Sequence, residues 1–296
     1  MVLSILDNAL KNAKPITINC DSKLIMFSDL HKGDNSYADD FTHNMEIYKY
    51  AIQQYYQKNY TYIELGDGIE LWENYSFEPI YKAHKSTFEL LKLFHEDNRL
   101  HLLWGNHDMV FRDPKTVERI LYKIFTPKNI VQKEKLFDLK FYESILLQIE
   151  NTSKNIFLIH GHQADVLNYK FWKYSRFFVR YFWMPLQKWF GVKDPTSPAK
   201  NYKNLIKVER KLKDWILKNN NQMVIAGHTH RPRFPEPGDL PYFNDGSCVH
   251  PNSIIGLEIE NLEISLVKWH TSIDEEDQTN VTKTVLEGPK SLDLYL

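Results

Sequence analysis

Five short cassettes collect six of the twelve histidines and five of the eleven glycines in this chain. In order they are Asp29-Leu30-His31, Gly66-Asp67-Gly68-Ile69-Glu70, Gly105-Asn106-His107-Asp108, His160-Gly161-His162 and Gly227-His228-Thr229-His230. Carboxylate, imidazole and amide-oxygen donors of this kind suit manganese, iron, zinc or cobalt, not a soft thiolate-bound metal. The two cysteines, Cys20 and Cys248, are far apart and give neither a metal-ligand spacing nor a disulfide framework. Any one cassette alone reads as a turn or a surface pair. Five in sequence, brought to one place, would bury a group of acids and histidines, and buried charges are normally paired or metal-bound.

What could bring them together is a sheet. Each cassette directly follows a short apolar run: residues 23–28 (KLIMFS), 61–65 (TYIEL), 100–104 (LHLLW), 155–159 (NIFLI) and 222–226 (QMVIA). Such near-continuous runs suit strands covered on both faces. Sites in α/β sheets form outside the carboxyl ends of the strands, so five such ends can share one crevice. Helical patterns lie between the runs. Phe41, Met45, Tyr48, Ile52 and Tyr55 form one stripe, and Phe88, Leu91 and Phe94 another. Asp113-Pro114 opens a third helix towards Phe125, and Ser197-Pro198 opens a fourth over 200–218. Strands at 136–141, 144–149, 253–260 and 263–270 extend the sheets, and prolines at 232, 235, 237 and 241 break the stretch after Gly227. The expected class is α/β.

Composition narrows the function. The chain has 296 residues, 37 Lys+Arg against 38 Asp+Glu, a net charge of −1 and 43% hydrophobic residues. This is ordinary globular composition, which excludes a wholly disordered chain, and its balanced charge argues against nucleic acid as a partner. Residues 1–15 lack the basic and apolar regions of a secretory signal, and no run of ~18 apolar residues is present, so the expectation is a cytoplasmic protein. Residues 272–284 are polar and acidic, and read as a loose C-terminal tail.

The order D-x-H, GD, GNHD, HG, GHxH resembles the calcineurin-like metallophosphoesterase superfamily over about residues 22 to 270. The resemblance implies two mixed β-sheets in a sandwich flanked by helices, with two divalent metal ions, manganese first and iron, zinc or cobalt as alternatives. It divides the chain into an N-terminal extension (1–21), the phosphoesterase domain (22–271) and a tail (272–296). It assigns Asp29, His31 and His230 to one metal and Asn106, His160 and His228 to the other, with Asp67 bridging. Two metals clamp the attacking and leaving oxygens of an in-line displacement, and a bridging water with its pKa lowered towards roughly 7 becomes the nucleophile. His107 matches the histidine that stabilises or protonates the leaving oxygen. Glu70 or Asp108 would orient that histidine, with a surface acid as the alternative for Glu70 and a loop-building acid for Asp108. His162 reads as a neighbour of the ligands, since all seven ligand positions are filled without it. With the site complete, a phosphoester hydrolase is the expectation, and a non-catalytic protein-binding scaffold of the same fold the alternative.

Within that family, S28-D-L-H-K-G33, G66-D-G-I-E-L-W72 and H160-G-H-Q-A-D165 resemble the bacterial branch that contains the UDP-2,3-diacylglucosamine hydrolases. Those pyrophosphatases hold acyl chains under a helical lid between the HG and GHxH cassettes. Here the corresponding interval is about 165–218. They carry Arg after the ligand Asn, where this chain has His107, so phosphomonoesters and diesters stay open beside the pyrophosphate. Eleven of the 41 aromatic rings fall within residues 169–190, together with Lys170, Lys173, Arg176, Arg180 and Lys188 and no acid. As one helix ending near Pro185, the segment would gather Lys170, Lys173, Arg176 and Arg180 on one arc and leave the rest apolar. Such a helix is buried on the domain or in a dimer contact, or it is a cap that meets a lipid-linked substrate or the inner membrane surface.

Overall fold

The computed structural model describes residues 1–125, 138–183, 202–273 and 279–296. Alternation along the strands explains how the layers assemble. Successive side chains of a strand point to opposite faces. In β2 (Lys23–Phe27), Leu24 and Met26 enter one core and Ile25 and Phe27 another. A strand that must bury both faces needs a layer on each side, and the chain supplies a second sheet on one and helices on the other.

The larger sheet runs in the order β12-β11-β10-β2-β3-β4-β5. Its members are β3 (Thr61–Glu64), β4 (Leu100–Leu103), β5 (Phe141–Tyr142), β10 (Ser253–Glu260), β11 (Glu263–Ile273) and β12 (Thr279–Ser291), together with β2. β2, β3, β4 and β5 are parallel, and β10, β11 and β12 join antiparallel. The smaller sheet runs β1-β6-β7-β8-β9, from β1 (Lys14–Ile18), β6 (Ser144–Ile149), β7 (Asn155–Ile159), β8 (Met223–Ala226) and β9 (Tyr242–Asn244). Between the sheets lies an apolar layer that includes Met26, Ile63, Leu103, Leu147, Leu158 and Ile225. Outside the larger sheet, α2 (Met45–Gln57), α3 (Phe77–Ala83), α4 (Lys85–Glu96) and α5 (Pro114–Phe125) bury Tyr48, Ile52, Ile80, Phe88, Leu91 and Leu121. Outside the smaller sheet, α1 (Val2–Lys11) and the helix Tyr202–Lys218 bury Leu6, Leu212 and Trp215. The expected pair of mixed sheets flanked by helices is therefore what the chain forms.

Both chain ends differ from expectation. Residues 1–21 are no mere extension: α1 packs in the outer core, and β1 pairs in parallel with β6. That strand carries Lys14 and Pro15 on a largely exposed sheet edge, so it lacks a buried strand's signature. The polar tail also gives way to structure. β12 pairs with β11 from Glu263–Ser291 to Ile273–Thr279. It is an edge strand with mostly exposed side chains, so backbone pairing holds it without any hydrophobic alternation. The aromatic stretch is not one helix either. α6 (Val166–Lys170) and α7 (Trp172–Phe178) break at Phe171, and a π-helical turn, Val179–Trp183, follows α7. The helix start at Ser197-Pro198 and the rest of the aromatic segment, 184–190, lie outside the described residues.

The C-terminal residues close the inter-sheet core. Tyr295 is buried edge-on to Phe243, with ring centroids 4.9 Å apart, and its hydroxyl donates to the Pro235 carbonyl at 2.9 Å. Tyr295→Ala should lower unfolding free energy by about 3 kcal/mol in urea titration. A loss below about 0.5 kcal/mol, typical of a surface position, would show that the C-terminus does not pack there.

Candidate metal centre

The five cassettes do meet. They stand at the carboxyl ends of β2, β3, β4, β7 and β8, three strands from one sheet and two from the other. Turning a side chain back over a strand end takes an unusual backbone. Asp29, His31, Asp67, His228 and His230 all have positive φ, between 50° and 66°. The left-handed region is uncommon for residues with a Cβ, and such strain clusters at functional sites.

Close approach does the rest. A Cβ on Gly105 would lie 2.1 Å from Asp67 Oδ1, so only glycine lets the third cassette pass beside the second. The His107 N–H then donates to the same Asp67 oxygen at 2.7 Å. Asp108 ties these loops from below. Its carboxylate accepts from the N–H groups of Gly105 at 2.6 Å, Gly68 at 2.9 Å and Ile69 at 3.3 Å. Asp108 thus builds the loop and does not touch His107. Burial, then the charge of Asp67, pushes its carboxyl up to about 7.

Three groups of side chains bring their donor atoms within 4.8 Å of one another: Asp29, His31 and His230; His31, Asp67 and His107; Asp67, His160 and His228. His230 Nε2 is 3.1 Å from Asp29 Oδ1, and His160 Nε2 is 3.1 Å from Asp67 Oδ2. His31 Nε2 lies 3.8 Å from Asp29 and 3.9 Å from Asp67, between the two carboxylates. The His160 Nδ1–H donates to the Leu65 carbonyl at 2.8 Å, which orients the ring with Nε2 facing the acids.

Burial would raise both carboxylates, but their imidazole neighbours outweigh it. His230 and His160 hold Asp29 well below the usual range, and His160 and His107 hold Asp67 low. The same attraction lifts His160, against burial, to about 9. Several buried atoms in the centre have no hydrogen bond: both amide atoms of Asn106 and Nε2 of His228. Unsatisfied buried polar atoms are rare and costly. Lone pairs from two carboxylates, an amide and several imidazoles, left unspent in one crevice, fit hard or borderline divalent ions. The site residues expected from the sequence are thus placed together, with Asp108 turned to the backbone.

Glu70 stands where the expected orienting acid belongs. Its Oε2 is 2.6 Å from His107 Nδ1 and 2.9 Å from His31 Nδ1. Burial opposes its ionisation, but His107 and His31 keep the carboxylate low. His162 is buried beside Trp104, Tyr169 and His160, with neither ring nitrogen hydrogen-bonded. Burial, then His160 and His228, holds its pKa well below the usual value.

Four supporting residues escaped the sequence reading. Asp165 Oδ2 is 3.9 Å from His228 Nε2, and the same carboxylate caps α6. Asn244 donates to the Gly227 carbonyl at 2.7 Å and to Thr229 at 3.1 Å, steadying the last cassette. The Ser28 hydroxyl donates to Asp29 Oδ2 at 2.6 Å and lies 2.7 Å from Asp245 Oδ1. One hydroxyl proton cannot serve both acids. Burial, then the charge of Asp29, pushes the Asp245 carboxyl well above the usual range, so the Ser28 hydroxyl stands between one acid held low and one held high. The polar run Asn244-Asp245-Gly246-Ser247 at the end of β9 was the available signal, masked by the prolines before it.

A family model described as calcineurin-like phosphoesterase matches residues 22–232. Among solved structures, Vps29 from Cryptosporidium parvum is 14% identical, with 90% of this chain and 98% of that one covered and a TM-score of 0.38. The cold-active protein-tyrosine phosphatase of a psychrophilic Shewanella species is 15% identical, with 94% and 84% covered and a TM-score of 0.42. A putative 5′-nucleotidase from Staphylococcus aureus is 13% identical, with 89% and 53% covered and a TM-score of 0.36. No functionally curated protein matches the chain significantly.

Gly105→Ala should displace Asp67 while leaving the sheets intact. Equilibrium dialysis with Mn²⁺ should then show affinity weakened by at least roughly tenfold, the scale of disturbed ligand support. Wild-type affinity in a folded Gly105→Ala protein would mean that Asp67 is not a ligand.

Proposed function

This chain belongs to the calcineurin-like phosphoesterases and is a metal-dependent phosphoester hydrolase, and we propose that it works with two divalent ions, manganese foremost, on a lipid-linked or nucleotide-linked substrate. The observation that supports the two-ion reading is that donor atoms of Asp29, His31 and His230 gather in one group and those of Asp67, His160 and His228 in another. Asn106, its buried amide unpartnered, completes the second set. Bound ions would polarise the phosphoryl oxygens and supply an activated water.

The chain's own residues supply the proton. His107 is partly open to solvent, with Nδ1 against Glu70. A carboxylate there holds the Nδ1–H and orients the ring, so that a proton on Nε2 can pass to the leaving oxygen. Trp72 stacks on the His107 ring at 4.2 Å and 19°, which restricts its rotation. Asp67 accepts the His107 N–H, so one carboxylate would serve as ligand and fix the backbone of the acid.

For the substrate, the aromatic segment is the informative part. Phe171, Tyr174, Phe177, Phe178 and Tyr181 are each about half exposed, beside Lys170, Lys173 and Arg176. Exposed rings mixed with cations, and no acid, favour an anionic lipid interface. Among the described residues no helix is long and apolar enough to cross a membrane, so the contact would be peripheral, at the inner face in a cytoplasmic protein. A diacylglucosamine-linked pyrophosphate is one substrate of this class. The His107 imidazole in place of a guanidinium favours a phosphomonoester or diester over it.

Two experiments test this reading. With Mn²⁺, His107→Ala should keep its metal content and lose about 10²–10⁴-fold in kcat on phenyl phosphate, whose leaving oxygen needs a proton; that loss is the usual contribution of a placed acid. Undiminished kcat would remove His107 from the mechanism, and a wild-type protein with neither bound metal nor hydrolysis would be a scaffold. Separately, changing Phe177, Phe178 and Tyr181 together to Ser should abolish co-sedimentation with phosphatidylglycerol vesicles but spare p-nitrophenyl phosphate turnover. Unchanged vesicle binding would show that the rings do not face lipid.

A further inference from the structure

The turn 71–74 has its donors and acceptors sorted to opposite sides. Glu70 Oε1 accepts the N–H of Trp72 at 2.9 Å and of Glu73 at 3.1 Å, while its other oxygen holds His31 and His107. With those N–H groups drawn towards Glu70, the carbonyls of Leu71, Trp72 and Asn74 are left to other partners. All three go to one side chain from the aromatic segment. Arg180 donates from Nε to Trp72 O at 3.0 Å, and from Nη2 to Leu71 O at 2.5 Å and Asn74 O at 2.9 Å. Arginine's planar fork of donors suits such a task, and a lysine's single ammonium cannot span it as well.

Other contacts fix the same attachment. The Arg180 guanidinium lies over Tyr75 at 4.7 Å, and Tyr181 meets that ring edge-on at 6.1 Å. Val179, next in the chain to Arg180, is buried in the same apolar cluster as Trp72 and Trp172. On the far side of the turn, the indole of Trp72 stacks on His107, yet its Nε1 has no hydrogen bond. The ring is therefore placed by its backbone and its packing, and Arg180 holds that backbone.

We propose that Arg180 is a positioning residue that latches the aromatic segment onto the turn 71–74 and thereby sets the Trp72–His107 stack. The inference rests on the reading of His107 as the acid for the leaving oxygen. It makes substrate contact on the exposed rings and proton delivery in the crevice properties of one connected element. Small displacements of a reacting group can cost as much as roughly 10²-fold, so loosening the stack should slow turnover without weakening substrate binding.

The test uses full-length, Mn²⁺-loaded Arg180→Ala and Arg180→Lys for kinetics, and the metal-free proteins for histidine NMR. In the wild type the His107 ring signals, assigned with His107→Gln, should be shielded by the indole face. Arg180→Ala should move them to their position in Trp72→Ala, while the His160 and His228 signals stay. Arg180→Lys should lie between, and it stands in if the alanine variant does not fold. In kinetics, Arg180→Ala should lose about tenfold or more in kcat on phenyl phosphate, whose leaving group needs a proton. On p-nitrophenyl phosphate, whose leaving group does not, the loss should stay below about threefold, with KM little changed on both. A His107 signal at its wild-type position in Arg180→Ala overturns the latch. A wild type that binds metal but hydrolyses neither ester would overturn the assigned reaction, and the NMR shift would still decide the latch.

Discussion

Two buried carboxylates, Asp29 and Asp67, facing the imidazoles of His31, His160, His228 and His230, are the constraint on which the molecule turns. Charges so far from water cost several kcal/mol unless opposite charge is brought to them. The chain brings it from five strand ends at once. Turning charged side chains back over the strand ends accounts for the left-handed backbone of Asp29, His31, Asp67, His228 and His230. The double sheet is the frame this requires. Strands buried on both faces give up no edge to water at the crevice, and the loops beyond them carry the chemistry.

The supporting shell follows from the same electrostatics. Ser28 and Asp245 stand behind Asp29, and Asp108 gathers three backbone N–H groups beneath Asp67. Glu70 is shared between a proposed ligand, His31, and a proposed acid, His107, so the metal centre and proton delivery have one support in common. Through the turn 71–74 that support reaches Arg180 and the aromatic rings. The aromatic segment and the crevice are thereby mechanically joined.

Much of this was legible in the residues. The five inner strands announce themselves because burial on both faces makes the short run before each cassette largely apolar. What stayed hidden is held by backbone pairing or by neighbours distant in sequence. β1 and β12 are edge strands whose exposed side chains carry no period. Asn244 and Asp245 reach the centre from β9, a three-residue strand preceded by prolines. The aromatic run read as a single helix because composition does not show a break at Phe171. Asp108 and Glu70 could not be told apart by spacing, since both follow a cassette residue closely. Only their hydrogen bonds separate a loop-building acid from one that holds a histidine.

The central claim is that Asp67 stands between two metal ions a few ångströms apart. Electron paramagnetic resonance of the Mn²⁺-reconstituted protein tests it most directly. The account predicts the broad, temperature-dependent multiline spectrum of an exchange-coupled Mn²⁺ pair, replaced in Asp67→Ala by signals from isolated ions or by loss of bound metal. A wild-type spectrum showing only the hyperfine pattern of isolated Mn²⁺ at full metal loading would contradict it.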